Sequence, residues 1–214
     1  VAADIPVYVG VDFGLTPAAV IGQKVRGRWF VQSEIVAVDM GIVRFSEVLR
    51  QELATRFAAA GDVIIYGDPS GDFRAQTDES TPFHIMRGAG LRAFPAPSNS
   101  VDLRLEAVSS QLTKMVEGKP AILIDRRCPQ LIKGFEGGYA YKRMQVSGER
   151  FDDKPDKNMF SHVHDAAQYL FLGAGEGRAL MNNQKPSTPV VAGRSFDVFA
   201  KKRPERRQGL WSRM

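Results

Sequence analysis

The sequence predicts a single α/β domain, in which a mixed β-sheet of five strands has helices on both faces and an added β-hairpin. Two observations lead to this fold class. Near the start of the chain, three apolar segments are separated by short glycine-containing turns, which predicts three antiparallel strands. An amphipathic helix then precedes a short apolar run. Because a helix between two strands of one sheet implies a crossover, strands four and five are predicted to be parallel.

The first strand is predicted at residues 7–12, where side chains alternate between two rows. Both rows are largely apolar, as expected for a strand that is buried on both faces. The second and third strands are predicted at 18–24 and 29–38, on either side of a turn at Arg26 and Gly27.

Residues 42–60 have apolar side chains at nearly helical spacing with charged residues between them. This pattern predicts an amphipathic helix that ends at Gly61. The uninterrupted apolar run at 63–66 is typical of a strand inside a parallel sheet.

The second half of the chain has weaker patterns. The predicted elements are a short helix at 81–88, a short strand at 91–94, a helix at 101–117, a short strand at 121–124, a hairpin at 137–146, a charged surface loop at 147–158 and a last helix at 160–172. In the helix at 101–117 the spacing predicts an apolar face, with Arg104 and Lys114 off it. That predicted face consists of Val101, Leu105, Val108, Leu112 and Met115.

The net charge of +5 is concentrated at one end of the chain. Residues 175–214 hold nine of the 29 Lys and Arg residues but only three of the 24 Asp and Glu residues, so residues 1–174 have a net charge of −1. The overall charge is therefore no argument for a basic DNA-binding core. We expect a domain at 1–174, followed by a basic, poorly ordered tail at 175–214.

Other features of the composition limit the class of protein. Cys128 is the only cysteine, which excludes an internal disulfide and a cysteine-based zinc cluster. No apolar run approaches the roughly 18 to 20 residues of a membrane span, so we expect a soluble, cytosolic protein without a membrane partner. The chain starts at Val1 and not at a methionine, and we expect it to be part of a longer protein.

Three aspartates occur where burial is expected. Asp12 ends the first strand, Asp68 follows the fourth, and Asp165 lies in the apolar last helix. A buried carboxylate is costly unless a cation or hydrogen bonds compensate it. One interpretation of Asp12 alone is that it caps a turn with Gly14 and Pro17. However, if the first and fourth strands are neighbours, Asp12 and Asp68 meet at the sheet edge where ligands gather.

Three converging carboxylates form a pocket suited to the hard cations Mg²⁺ or Mn²⁺ rather than to zinc. Two such ions can activate a water and stabilise the leaving oxygen in phosphodiester hydrolysis. Without metal the three charges repel one another, which predicts raised carboxylate pKa values. His162 lies one helical turn before Asp165 and either orients a water or phosphate or is a polar residue at a helix start.

Three stretches carry a resemblance to a known family. They are Val-Gly-Val-Asp-Phe-Gly at 9–14, Tyr-Gly-Asp-Pro-Ser-Gly at 66–71 and His-Val-His-Asp-Ala-Ala-Gln-Tyr at 162–169. In this order they resemble the ribonuclease H-like nuclease domain at the carboxyl end of tailed-bacteriophage large terminase subunits. The segment 128–141 is similar to the region that precedes and forms a hairpin in those domains. The resemblance covers about residues 5–174.

The resemblance implies a metal-dependent endonuclease that cleaves double-stranded viral DNA during genome packaging, with little sequence specificity. It puts the catalytic, metal-binding acids at Asp12, Asp68 and Asp165, with two Mg²⁺ or Mn²⁺ ions as cofactors. Cleavage would leave 3′-hydroxyl and 5′-phosphate ends. Some relatives have a further acid shortly after the first one, and here Asp72 or Asp153 would have to supply it.

The resemblance also implies partners. A packaging ATPase domain would precede this domain in the full-length protein, the portal and the small terminase subunit would bind it, and the host cytoplasm would be its location. The chain itself has no Gly-x4-Gly-Lys-Ser/Thr phosphate loop, so we expect no ATP hydrolysis from it.

Basic residues are candidates for DNA phosphate contacts, with Tyr139 and Tyr141 interleaved on the hairpin. The candidates are Arg104, Lys133, Lys142 and Arg143. Ordinary solvated surface residues are an equally good interpretation of each. The basic tail either holds DNA or the portal or is a solvated terminus.

Two other functions are consistent with parts of the sequence. Asp-Phe-Gly after the first strand also resembles the actin and sugar-kinase ATPase superfamily, but the chain is short for that fold and lacks a second copy of it. A ribonuclease H-like module that only binds DNA or the portal is the second alternative. Gathering negative charge near phosphates argues against it.

Overall fold

The computed structural model describes residues 1–72, 80–143 and 151–177, and its main feature is a six-stranded mixed sheet. Its strands, in chain order, are β1 (Val7–Asp12), β2 (Ala18–Val25), β3 (Arg28–Val36), β4 (Val63–Gly67), β5 (Ala93–Pro95) and β8 (Ile122–Ile124). Two short strands, β6 (Met115–Val116) and β7 (Lys119–Pro120), form a separate hairpin.

The strand order is β5-β4-β1-β2-β3-β8, so β1 lies inside the sheet. As predicted, β1, β2 and β3 are antiparallel, and β4 pairs in parallel with β1 and β5. The predicted count of five strands is wrong, because β8 adds a sixth strand, parallel to β3. A strand of three residues has too little alternation to reveal from sequence whether it pairs.

Helices cover both faces of the sheet. Helices α1 (Ile42–Arg56) and α2 (Pro82–Gly88) pack on one face, in a core that includes Phe45, Leu49 and Phe83. Helices α3 (Val101–Thr113), α4 (Pro129–Lys133) and α5 (Ser161–Gly173) form a second core on the other face. The two rows of β1 side chains therefore both meet apolar partners, as the sequence predicts.

Helix α3 differs from its prediction in its length and in its buried face. It ends at Thr113, and Leu112 and Met115 of the predicted apolar face are exposed. The buried residues are Leu103, Arg104, Ala107, Val108 and Gln111. Local periodicity predicted the wrong face because two polar side chains of α3 have buried partners far away in the chain.

The predicted hairpin at 137–146 has a different register. Residues Gly134–Gly138 form a π-helical turn, and β9 (Tyr141–Arg143) pairs with β10 (Phe151–Pro155). Part of the predicted surface loop is therefore strand, while residues 144–150 lie outside the described part of the chain. Glycine tolerates the positive φ of 121° at Gly137, where the backbone departs from helical geometry inside this turn.

All described residues belong to one unit of the chain, Val1–Asn183. The division at residue 174 remains a prediction. Within the described ranges, no helix combines the length and the hydrophobicity that crossing a membrane would require.

Candidate active site

Asp12 and Asp68 leave the sheet at the same edge. Asp12 is the last residue of β1, and Asp68 directly follows β4, the parallel neighbour of β1. The backbone N–H of Asp68 donates to the carbonyl of Val11 at 3.3 Å, which extends the ladder to this point. The Asp68 carboxylate accepts the N–H of Ser70 at 2.8 Å, so a local turn orients one of its oxygens.

Asp165 reaches this edge because α5 packs closely across β1. A Cβ atom at Gly10 would lie 1.9 Å from the carbonyl oxygen of Ala166 and 2.6 Å from the backbone nitrogen of Leu170. Only glycine allows strand and helix backbones to approach this closely. The resulting contact buries Asp165 almost completely, at 4% exposure.

Both oxygens of Asp165 contact cationic side chains. Arg104 of α3 donates from Nη1 to Oδ1 at 3.0 Å, and the Lys157 ammonium group donates to Oδ2. The arginine is buried, and its guanidinium lies 4.9 Å from the ring centroid of Tyr169. The lysine side chain, in contrast, is 73% exposed. One partner of Asp165 is therefore held inside the protein and the other lies at its surface.

Asp12 is buried and contacts His162. The imidazole Nδ1 lies 2.9 Å from Asp12 Oδ2, and the Asp12 residue is 8% exposed. Burial raises the pKa of Asp12 to about 6; the hydrogen bond from His162 opposes this shift, and the charge of Asp165 adds to it. The pKa of Asp12 is thus raised in the predicted direction, but burial contributes more to the shift than the repulsion between carboxylates on which the prediction rested.

The phenol of Tyr169 lies within the field of all three acids. Burial raises the pKa of this phenol, and the charges of Asp68, Asp12 and Asp165 each raise it further. The hydroxyl donates to Asn99 Oδ1 at 2.8 Å, which keeps the ring between α5 and the loop before α3. The charge of Arg104 opposes these shifts.

Each of the three acids makes hydrogen bonds with its own partners. Within the described ranges, no three His, Cys, Asp or Glu side chains are already gathered as a cage for an ion. The donor set nevertheless fits a hard divalent cation, since it offers carboxylate oxygens of which two are held by Arg104 and Ser70. Asp12, Asp68 and Asp165 supply these carboxylate oxygens.

The candidate DNA contacts occupy different environments. Lys133 is exposed at the end of α4, and Lys142 is exposed on β9. Arg104 is buried against Asp165 and does not face solvent. The Tyr139 ring stacks on His164, with 4.5 Å between ring centroids, so it faces α5.

The side chains of three residues singled out in the sequence lie outside the described part of the structure. They are Asp72, Arg143 and Asp153.

The sequence analysis missed two residues that the structure brings into contact with buried groups. Lys157 was part of the charged loop, and Glu176 was assigned to the tail. Charge alone could not distinguish either one from its solvated neighbours.

Comparison with solved structures finds large terminases. A large terminase from a thermophilic bacteriophage aligns with a TM-score of 0.59 and 20% identity, over 81% of this chain and 41% of that one. The large terminase nuclease domain of bacteriophage SPP1, with bound Mn, aligns with a TM-score of 0.50 and 19% identity, over 78% of this chain and 85% of that one. The P22 large terminase nuclease domain aligns with a TM-score of 0.51 and 17% identity, over 78% of this chain and 86% of that one.

The chain thus spans about 41% of the length of the thermophilic phage terminase and most of each nuclease domain. No protein-family model matches the sequence, and no curated protein matches it. The similarity to these structures, at identities of 20% or less, concerns the fold. The chain therefore has the ribonuclease H-like fold of large terminase nuclease domains.

Proposed function

We propose that this chain is the nuclease domain of a phage large terminase, which cleaves double-stranded viral DNA during genome packaging. The observation that carries the proposal is the burial of two predicted acids on elements that pack together: Asp12 ends β1, and Asp165 lies on α5, which packs across β1. A buried carboxylate is costly unless a cation or hydrogen bonds compensate it. The shared fold with large terminase nuclease domains supports the same function.

In this proposal the catalytic, metal-binding residues are Asp12, Asp68 and Asp165, with His162 as an accessory residue. Their oxygens suit Mg²⁺ or Mn²⁺, and the SPP1 domain was solved with bound Mn. Two such ions, when bound, supply an activated water and stabilise the leaving oxygen of a phosphodiester. The protein contributes the positions of the acids: His162 holds one oxygen of Asp12, and Arg104 holds one of Asp165.

DNA would contact exposed basic residues through its phosphates. Lys133 and Lys142 are exposed, and Arg143 follows Lys142 on β9. Contacts of this kind position a duplex through its phosphates and carry little sequence information, which agrees with a nuclease of low specificity. Because Arg104 is buried, we assign it to holding Asp165 and not to the DNA.

The proposed partners follow from the same assignment. The chain spans less than half of the thermophilic phage terminase, which leaves room for a packaging ATPase domain before it in a longer protein. The portal and the small terminase subunit are the other proposed partners, and the host cytoplasm is the proposed location.

Cleavage of supercoiled plasmid tests the proposal. We expect nicking and linearisation in Mg²⁺ or Mn²⁺, none in excess EDTA, and a loss of at least about 100-fold in rate for Asp12→Asn and Asp165→Asn. Glu47→Gln is the matched control, because Glu47 is an exposed acid on α1, on the opposite face of the sheet. Each variant is first checked for folding by circular dichroism.

Two outcomes would contradict the proposal. Cleavage that survives both substitutions would mean that the acids are not the active site. DNA that is bound but never cleaved in either metal would favour the alternative of a module that only binds DNA or the portal.

A further inference from the structure

The contact between Lys157 and Asp165 joins an exposed cation to a buried acid. The Asp165 side chain is 5% exposed, while the Lys157 side chain is 73% exposed. Arg104 already neutralises the other carboxylate oxygen from inside the protein. Lys157 therefore holds the second oxygen of Asp165 from the solvent-exposed side.

Hydrogen bonds hold the residues on both sides of Lys157. The N–H of Asp156 donates to the carbonyl of Ala140 at 2.9 Å, and Asn158 Nδ2 donates to the carbonyl of Gly138 at 2.8 Å. Both acceptors belong to the segment between α4 and the β9–β10 hairpin. The ammonium group can therefore leave Asp165 by rotation of its own side chain, without a change in the backbone.

A pocket of about 310 Å³ receives the side chain if it moves. Lys157, Asn158 and His162 line it, together with Thr16 from the turn after β1 and Gln130 from α4. His162 also contacts Asp12, so this side chain connects the pocket to the acid site. The space is large enough for several waters as well as the ammonium group.

We propose that Lys157 is a displaceable counter-ion of the acid site, which holds Asp165 in the metal-free protein and competes with a divalent metal for the same carboxylate oxygen. This inference rests on the proposed metal site. In the metal-free protein the ammonium group contacts the carboxylate oxygen of Asp165 that a metal ion would otherwise take.

If Lys157 competes with the metal, removing it changes the metal affinity in the opposite direction from the one that a structural role predicts. Removing a residue that positions Asp165 for metal would weaken metal binding. Removing a cation that the metal must displace strengthens metal binding, because both cations bind the same anionic oxygen. The direction of the change therefore separates the two roles.

The experiment measures Mn²⁺ binding to the full chain by isothermal titration calorimetry, without DNA. We expect Lys157→Met to bind Mn²⁺ about tenfold more tightly than the wild type, the scale of one charge-assisted hydrogen bond. Lys157→Arg keeps a cation at this position and should stay within about threefold of the wild type. Because the side chain is exposed, both variants are expected to fold.

Lys154→Met is the matched control, since it removes the same charge from an exposed site on β10. We expect its Mn²⁺ affinity to stay within about twofold of the wild type. If Lys157→Met behaves like Lys154→Met, or binds Mn²⁺ more weakly than the wild type, the counter-ion role is overturned. If the wild-type chain binds no Mn²⁺ at all, the proposed metal site itself fails, and the counter-ion role fails with it.

Discussion

Cys128 illustrates how burial controls the chemistry of a single residue. Its side chain is fully buried beside α4, and burial raises the pKa of its thiol to about 12. We predict no reaction with a disulfide reagent at about pH 8 in the native protein and one equivalent after denaturation, because only the thiolate reacts. Rapid labelling of the native protein would contradict the burial of this residue.

The raised pKa of Cys128 also predicts that the free energy of unfolding falls as pH rises from about 9, because only the thiol of the unfolded chain then ionises.

Substitution of Arg104 tests how much its buried ion pair with Asp165 contributes to stability. Arg104→Met removes the charge but fills most of the space, and it leaves Asp165 with Lys157 as its cationic partner. We predict a loss of about 3 kcal/mol in the free energy of unfolding, measured by urea titration. Arg126→Met is the control, because Arg126 is exposed and its loss should change stability by less than about 0.5 kcal/mol.

The alternative role for Arg104 in DNA binding gives the opposite pattern. A phosphate contact would leave the stability of Arg104→Met unchanged and weaken DNA binding, measured by fluorescence anisotropy. If Arg104→Met leaves stability unchanged and weakens DNA binding, Arg104 contacts DNA and does not mainly hold Asp165.

The sequence singles out the three acids as candidates because each stands out against its surroundings. Asp12 and Asp165 lie in strongly apolar elements, and Asp68 follows an apolar strand, so the local pattern alone marks them. Lys157 lies among charged neighbours, and no local signal separates it from them. Its role depends on a contact with Asp165 that only the folded chain creates.

At the scale of elements, the packing of α5 on β1 positions the site, and Gly10 makes that packing possible. A methyl group at Gly10 would meet the backbone of α5 at Ala166. We predict that Gly10→Ala lowers the free energy of unfolding by about 3 kcal/mol or more and lowers nuclease activity in the fraction that folds, because β1 and α5 carry Asp12 and Asp165. Thermal denaturation and the plasmid assay measure the two effects.

Gly41→Ala is the control for Gly10→Ala. Gly41 precedes α1, with φ −72°, and a Cβ atom there would have no atom within 4 Å. Its substitution should cost no more than about 1 kcal/mol. Equal effects of the two substitutions would mean that the close approach of strand and helix is not the reason for glycine at position 10.

The elements also show where sequence reasoning stops. The antiparallel strands β1 to β3 and the parallel β4 could be predicted, because alternation and a crossover helix are local patterns. The buried face of α3 could not be, since Arg104 pairs with a residue 61 positions away and Gln111 with one 65 positions away. Periodicity assigns polar residues to solvent unless their partners are known.

At the scale of the whole molecule, Glu176 joins the end of the described chain to its beginning. Its Oε1 accepts from Trp29 Nε1 at 2.9 Å and from Lys24 Nζ at 2.5 Å, and its Oε2 accepts from Gln111 Nε2 at 2.8 Å. These partners lie on β3, β2 and α3. A single carboxylate after α5 therefore ties together three elements that are distant in sequence.

Substitution of Glu176 measures that connection. We predict that Glu176→Ala lowers the free energy of unfolding by about 3 kcal/mol, because it leaves the buried N–H groups of Trp29 and Gln111 without their acceptor. Glu176→Gln retains one acceptor oxygen and should cost about 1 kcal/mol, while Glu47→Ala on the exposed face of α1 should cost less than about 0.5 kcal/mol. Urea titrations are followed by tryptophan fluorescence in a Trp211→Phe background, where Trp29 alone reports. Equal stabilities of the Glu176→Ala and Glu47→Ala proteins would mean that the contacts of Glu176 add nothing to the stability of the core.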